Sequence, residues 1–158
     1  MDEKIKVLLV QARVDPQDTL RVALEELSLE IRIARSCGEA ALALLSDRPP
    51  HLVFTDVQLS DGHWGDVLTL AATALLPVNV IVVASHVDVG FYISAIERGA
   101  FDFIVPPISA PELLHIVRTA AESSQTRRRQ ALASASASLL LPRALDHGRQ
   151  HTVAGGED

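Results

Sequence analysis

With 158 residues, 48% of them apolar and only 4% aromatic, the chain suits one domain plus an extension, with a core built mainly from Leu, Val, Ile and Ala. A net charge of −6 argues against nucleic acid as a partner, because that partner selects a basic face. The single cysteine, Cys37, excludes an intramolecular disulfide and a cysteine-based metal site. No apolar run approaches the roughly 18 residues of a membrane span. The charged N-terminus is followed only by the short run Lys4–Val10, which does not read as a signal peptide, so a cytoplasmic protein is expected.

Short apolar runs alternate with helical stretches along the chain. Lys6–Val10 is nearly continuous in apolar residues, as a strand buried on both faces should be. Asp15-Pro16 predicts a helix start, with Asp as the cap and Pro at the first helical position. Leu20, Ala23, Leu24 and Leu27 give that helix its i, i+3, i+4, i+7 stripe. Ile31 and Ile33 flank Arg32 in a second strand. Ser36 and Glu39 form a capping box before the helical stretch Ala40–Leu45, and Pro49-Pro50 stops it. His51–Thr55 predicts a third strand ending at Asp56, and Asp61-Gly62 signals a turn.

A third helix is expected over Gly65–Leu75, and a β-branched fourth strand over Val78–Ala84. A fourth helix is expected over Val89–Arg98, closed by Gly99. Phe101–Val105 reads as the fifth strand. Ser109, Pro111 and Glu112 then open a fifth helix that reaches at least Ala121. Five successive βα units with helical crossovers predict a doubly wound parallel α/β domain over residues 1–121. Its functional face should lie at the carboxyl ends of the strands, where Asp56 stands.

Residues 122–158 differ. They hold five basic and four acidic residues, against nine and 16 in residues 1–121. Arg127–Arg129 is a short basic run, Ala131–Ser138 is Ala/Ser-rich, and Pro142 follows three leucines. Helical continuation to about residue 141 is expected on propensity, with disorder beyond Pro142.

The segment from Val53 to Gly62, with Asp56 after an apolar strand, resembles the phosphoacceptor segment of response-regulator receiver domains of the CheY-like kind. Gly99-Ala100-Phe101-Asp102-Phe103 resembles the turn and fifth strand of that family, and Pro107 matches the Pro of its Lys-Pro pair. The resemblance covers about residues 4–121. It implies a flavodoxin-like five-stranded parallel sheet of order 2-1-3-4-5 with five helices. It also implies a two-component (phosphorelay) role in which a sensor histidine kinase phosphorylates Asp56.

Four positions depart from the family. Its Mg²⁺-binding acidic pair aligns with Gln11 and Ala12, its hydroxyl residue with Ala84, and its lysine with Pro106. Each lost cationic contribution costs about 2.7–4 kcal/mol at a transition state, so phosphotransfer should slow by several orders of magnitude. Candidate neighbours of Asp56 are Arg13, Gln58, Ser85 and Trp64. Arg13 is either a substitute cation or an exposed loop residue. Ser85 is either a replacement hydroxyl or an ordinary loop serine, and Trp64 could cover Asp56. Asp15 and Asp61 are candidate replacement ligands or, alternatively, a cap and a turn residue. Phe103 matches the aromatic residue that family members swing between exposed and buried positions. Phe91 and Tyr92 open the fourth helix, on the family's partner-binding face.

Three readings follow. The first is a stand-alone atypical receiver, not itself an enzyme, acting on a kinase, a downstream effector or a second copy without standard Mg²⁺-dependent phosphorylation. The second is a working phosphoreceiver using Asp56 and Mg²⁺. The third is a small-ligand sensor that uses the altered pocket.

Overall fold

The computed structural model describes residues 4–13 and 18–140, with side chains to residue 137. In chain order the elements are β1 (Ile5–Val10), α1 (Thr19–Glu25), β2 (Leu29–Ala34), α2 (Cys37–Leu44) and β3 (Leu52–Asp56). They continue with β4 (Gln58–Leu59), β5 (Gly62–His63), α3 (Trp64–Ala72), β6 (Asn79–Val83), α4 (Val89–Glu97), β7 (Asp102–Ile104) and α5 (Ala110–Leu140). Five parallel strands form one sheet of order β2-β1-β3-β6-β7. Counting only the strands of that sheet, this is the expected order 2-1-3-4-5.

The sheet separates two cores because successive strand residues point to opposite faces. Leu8, Val10, Val53, Val80 and Val82 face α2 and α3, together with Ala95 of α4. Val7, Leu9, Leu52, Phe54 and Ile81 face α1 and α5 and meet Leu20, Leu24, Leu113 and Val117. Each fully buried Leu, Ile or Phe side chain contributes about 1.5–3 kcal/mol, so these two faces dominate the stability of the sheet.

Several local predictions need correction. The N-cap of α1 is Asp18, whose carboxylate accepts from the Arg21 N–H at 3.2 Å, so the helix begins at Thr19. The expected start at Asp15-Pro16 lies outside the described residues. The turn after Asp56 is Ser60-Asp61 rather than Asp61-Gly62. It closes a small antiparallel hairpin in which Gln58 pairs with His63 and Leu59 with Gly62. The Ser36–Glu39 box is half realised: Ser36 Oγ accepts from Glu39 N–H at 3.1 Å, while the Glu39 carboxylate accepts from Arg35 N–H at 3.3 Å. Gly99 ends α4 with φ 103°, a backbone conformation that strains any residue with a Cβ.

By contact density the chain divides into residues 1–125 and residues 126–158. Within the first unit, Ser124 is buried and its hydroxyl donates to the Pro77 carbonyl at 2.9 Å. Asn79 Nδ2 donates to the Ala120 carbonyl at 2.8 Å. These two bonds fasten α5 to the start of β6. In the second unit, residues 126–140 are helical. The expected disorder beyond Pro142 falls outside the described residues.

Candidate functional site

Asp56 ends β3, the central strand, and is half-buried beside the β1–α1 loop. Its Oδ2 accepts the Ala12 N–H at 3.1 Å. Burial pushes its carboxyl above the usual carboxylate range; the Ala12 hydrogen bond pulls it down, and the charge of Asp18 pushes it further up. Asp18 is the neighbour that the sequence reading missed. It is held by two contacts: Oδ2 accepts from Gln11 Nε2, while Oδ1 accepts from the Arg21 N–H of the first helical turn. An Asp directly before Thr19-Leu20 was a legible cap signal, but Asp15-Pro16 competed with it.

Gln11 is buried and Ala12 is exposed. Ala84 is buried just past β6, with its N–H donating to the Ile104 carbonyl at 2.9 Å. Ser85 beside it is exposed. Pro106 follows β7 and joins Pro107 through a cis peptide bond. Arg13 is exposed and forms no ion pair with Asp56 among the described residues. Gln58 is exposed on β4.

Mg²⁺ demands a near-octahedral set of oxygen ligands. Here the described side chains near Asp56 include the Asp18 carboxylate, which caps α1, and the Gln11 amide, whose Nε2 donates to Asp18. No group of three or more His, Cys, Asp or Glu suited to a metal occurs among the described residues. Among the described residues, Asp18 is the one further carboxylate whose charge bears on Asp56.

The hairpin after Asp56 is anchored differently from expectation. Asp61 reaches across to α2, where its two carboxylate oxygens accept the Cys37 and Gly38 N–H groups at 2.7 and 3.0 Å. Asp61 therefore caps a helix 23 and 24 residues away in sequence, which no local pattern could reveal. These bonds hold its carboxyl below the usual carboxylate range. Burial and the Asp61 charge push the adjacent Cys37 thiol up to about 11.

His63 caps α3. Its Nδ1 accepts from Gly65 N–H at 2.9 Å, and Asp66 answers by accepting the His63 N–H at 2.9 Å. Trp64, expected on the loop, is instead the first residue of α3 and is buried in the core. Its ring packs on Phe91 at 5.2 Å between centroids, and the Arg98 guanidinium lies 4.7 Å above it. Phe91 in turn meets Phe103 at 5.4 Å, and Tyr92 meets Phe103 edge-on at 5.8 Å. The three aromatic candidates of the sequence thus form one column with Trp64, linking α3, α4 and β7.

The sequence profile described as "Response regulator receiver domain" matches residues 7–118. The chain is 30% identical over 124 residues to the nitrogen assimilation regulatory protein NtrX of Azorhizobium caulinodans, covering 77% of this chain and 27% of that protein. It is 30% identical over 115 residues to the response regulator protein PilR of Pseudomonas aeruginosa, covering 73% and 26%. The chain therefore spans about a quarter of the length of these relatives. Among solved structures, NtrX from Brucella abortus in complex with ATP matches with TM-score 0.70 and 30% identity, over 82% of this chain and 29% of that one. The receiver domain of a LuxO repressor protein from Vibrio parahaemolyticus matches with TM-score 0.69 over 78% and 95%. Its identity is 23%, so it speaks for the fold alone. Receiver domains are generally non-enzymatic signalling modules that interact with histidine kinases. No described helix is long and apolar enough to cross a membrane. Since the profile match spans well over half of the chain and coincides with the sheet and helices around Asp56, the protein belongs to the response regulator receiver domain family of two-component signalling.

Proposed function

We propose that this is an atypical receiver that signals by protein–protein contact through α4, without standard Mg²⁺-dependent phosphorylation of Asp56. The observation that carries the contact is the outer face of α4. Val89, Tyr92, Ile93 and Ile96 follow i, i+3, i+4, i+7 spacing and are 68%, 44%, 47% and 37% exposed, and Val87 just before the helix is 81% exposed. A helix normally turns such a stripe inward; here only Ala95 is buried. Contiguous exposed apolar surface of this kind marks an interaction site. The partner is a sensor histidine kinase, a downstream effector or a second copy of the chain.

The surroundings of Asp56 support the second half of the proposal. Gln11 and Ala12 stand at the family's Mg²⁺-binding positions and Pro106 at its lysine position, and the described contacts of Asp56 are one backbone N–H and the field of a second carboxylate. Phosphoryl transfer depends on neutralising charge at the transferring oxygens, and neither contact supplies a cation. The decisive experiment adds acetyl phosphate or beryllofluoride with Mg²⁺ and follows the amide NMR spectrum. An unchanged spectrum is expected; a saturable shift that disappears in Asp56→Asn would overturn the proposal. The alternative, a working phosphoreceiver, draws on the accessibility of Asp56 and on exposed Ser85 beside Ala84, and predicts that shift.

A further inference from the structure

At the end of the sheet away from Asp56 lies a recess of about 230 Å³. Its origin is a mismatch of lengths. The eight residues of α2 run back over β1 and β2 for about 12 Å at 1.5 Å per residue, whereas those six-residue strands extend about 20 Å. The helix covers Leu8, Val10 and Ala34 and stops short of the strand starts. On the uncovered part of the same face, the alternation places Lys6 on β1, and Glu30 and Arg32 on β2. Lys6 stands opposite Glu30, and Leu8 opposite Arg32. Ala43 and Ser46 at the end of α2, followed by Asp47, Arg48 and Pro50, form the other wall.

The recess has an apolar floor and a charged rim. Five ionisable side chains line it: Lys6, Arg32 and Arg48 against Glu30 and Asp47. Although both signs share one small space, none of the five forms an ion pair within 4.0 Å among the described residues, not even the cross-strand pair Lys6 and Glu30. The strand beneath is fixed, because Lys6 N–H donates to the buried His51 Nδ1 at 3.0 Å and His51 N–H donates back to the Lys6 carbonyl at 2.9 Å. Charges that leave one another unpaired around an apolar floor are free to pair with a ligand.

We infer that this recess binds a small dicarboxylate carrying an amino or hydroxyl group. Arg32 on the sheet and Arg48 after α2 each carry a planar guanidinium fork, the group that pairs with a carboxylate through two parallel hydrogen bonds, so two such groups match a ligand with two carboxylates. Lys6 adds a third positive charge. Glu30 and Asp47 offer acceptors to a donor group on the ligand skeleton. The lining carries one excess positive charge, which complements a net anionic ligand. The volume lies below the roughly 300 Å³ at which drug-sized ligands are usually held, which suits a small ligand.

The test uses the full chain, four probes of equal ionic strength (aspartate, malate, succinate and inorganic phosphate) and two readouts, melting temperature and the amide shifts of residues 6–8 and 43–48. Saturable binding of aspartate or malate is expected, with succinate weaker. Affinity should fall at least about tenfold in Arg32→Ala and in Arg48→Ala, as loss of a charged hydrogen-bonding partner implies. Glu30→Gln with Asp47→Asn should erase the preference over succinate. Asp56→Asn should bind as the parent does, which separates this site from the receiver chemistry. Both arginines are exposed, so the unliganded melts of the variants report whether folding survives. No saturable response to any dicarboxylate, or a response equal for phosphate or unchanged in both arginine variants, would overturn the inference.

Discussion

Asp56 and Asp61 lie close in sequence, yet their surroundings push their acidities in opposite directions. Asp56 is desolvated and faces Asp18, so its folded-state pKa stands above the unfolded value. Stability associated with such a group is complete below the unfolded value, about 3.9, and is lost as pH rises through the folded one. Asp56→Asn should therefore raise the melting temperature at neutral pH, since Asn still accepts the Ala12 N–H, and the gain should vanish in acid. Asp61 accepts two helix N–H groups, so its folded value is depressed, and its contribution is present above about 3.9 and lost as pH falls through the folded value. Asp61→Asn should lower the melting temperature at neutral pH and matter less in acid. Melts of both variants across that range would check the pair; parallel pH profiles would refute the assignment.

Among the elements, α4 is packed on one side only. One face meets the Trp64–Phe91–Phe103 column and the other is apolar and open. Arg98, at the C-cap of α4, adds a second tie to α3 beside the Phe91–Trp64 contact. A Cβ added at Gly65 would meet the Arg98 Nη1 and Nη2 atoms at 2.7 Å and His63 Cε1 at 2.6 Å. Gly65→Ala should thus displace the same guanidinium that Arg98→Ala removes. Both should accelerate hydrogen exchange in α4, with Arg98→Ala costing about 0.5–1 kcal/mol for its cation–π contact. Trp64→Ala removes the base of the column and should cost about 3–5 kcal/mol in denaturant titrations. Ile93→Glu, on the open face, should leave folding intact and abolish any association through α4, as light scattering or partner pull-down would read. Phe103 touches both Phe91 and Tyr92, so a swing of its ring would break two contacts with α4.

For the whole molecule, the last buried groups of α5 within the first unit are Ala120, Ala121 and Ser124. Truncation after Gln125 is expected to leave the melting temperature of the sheet domain unchanged. Cutting after Ala121 removes the Ser124 bond to Pro77 and should cost about 1 kcal/mol. The sheet order was readable from sequence because buried parallel strands and helical stripes have distinct periods, and residues such as Leu8, Phe54 and Ile81 stand where those periods put them. The position of Asp56 was readable for the same reason. The roles of Asp61, Arg98 and His63 were not, since each depends on a helix end or a ring brought close only by the fold. Gln11, Ala12, Ala84 and Pro106 were legible as departures, but the engagement of Asp18 with Gln11 arises only where the fold brings the β1–α1 loop together.

The bond between Asp61 and the start of α2 gives the protein an internal reporter. Cys37 is the chain's single cysteine, buried under the hairpin that follows Asp56, with its thiol pushed up to about 11. Alkylation proceeds through the thiolate, so the native protein should label slowly. Any event at Asp56 that lifts the hairpin withdraws the Asp61 carboxylate and uncovers the sulfur together. Labelling rate therefore counts openings of this loop in unmodified protein, one sulfur per chain, without an added fluorophore or an engineered site.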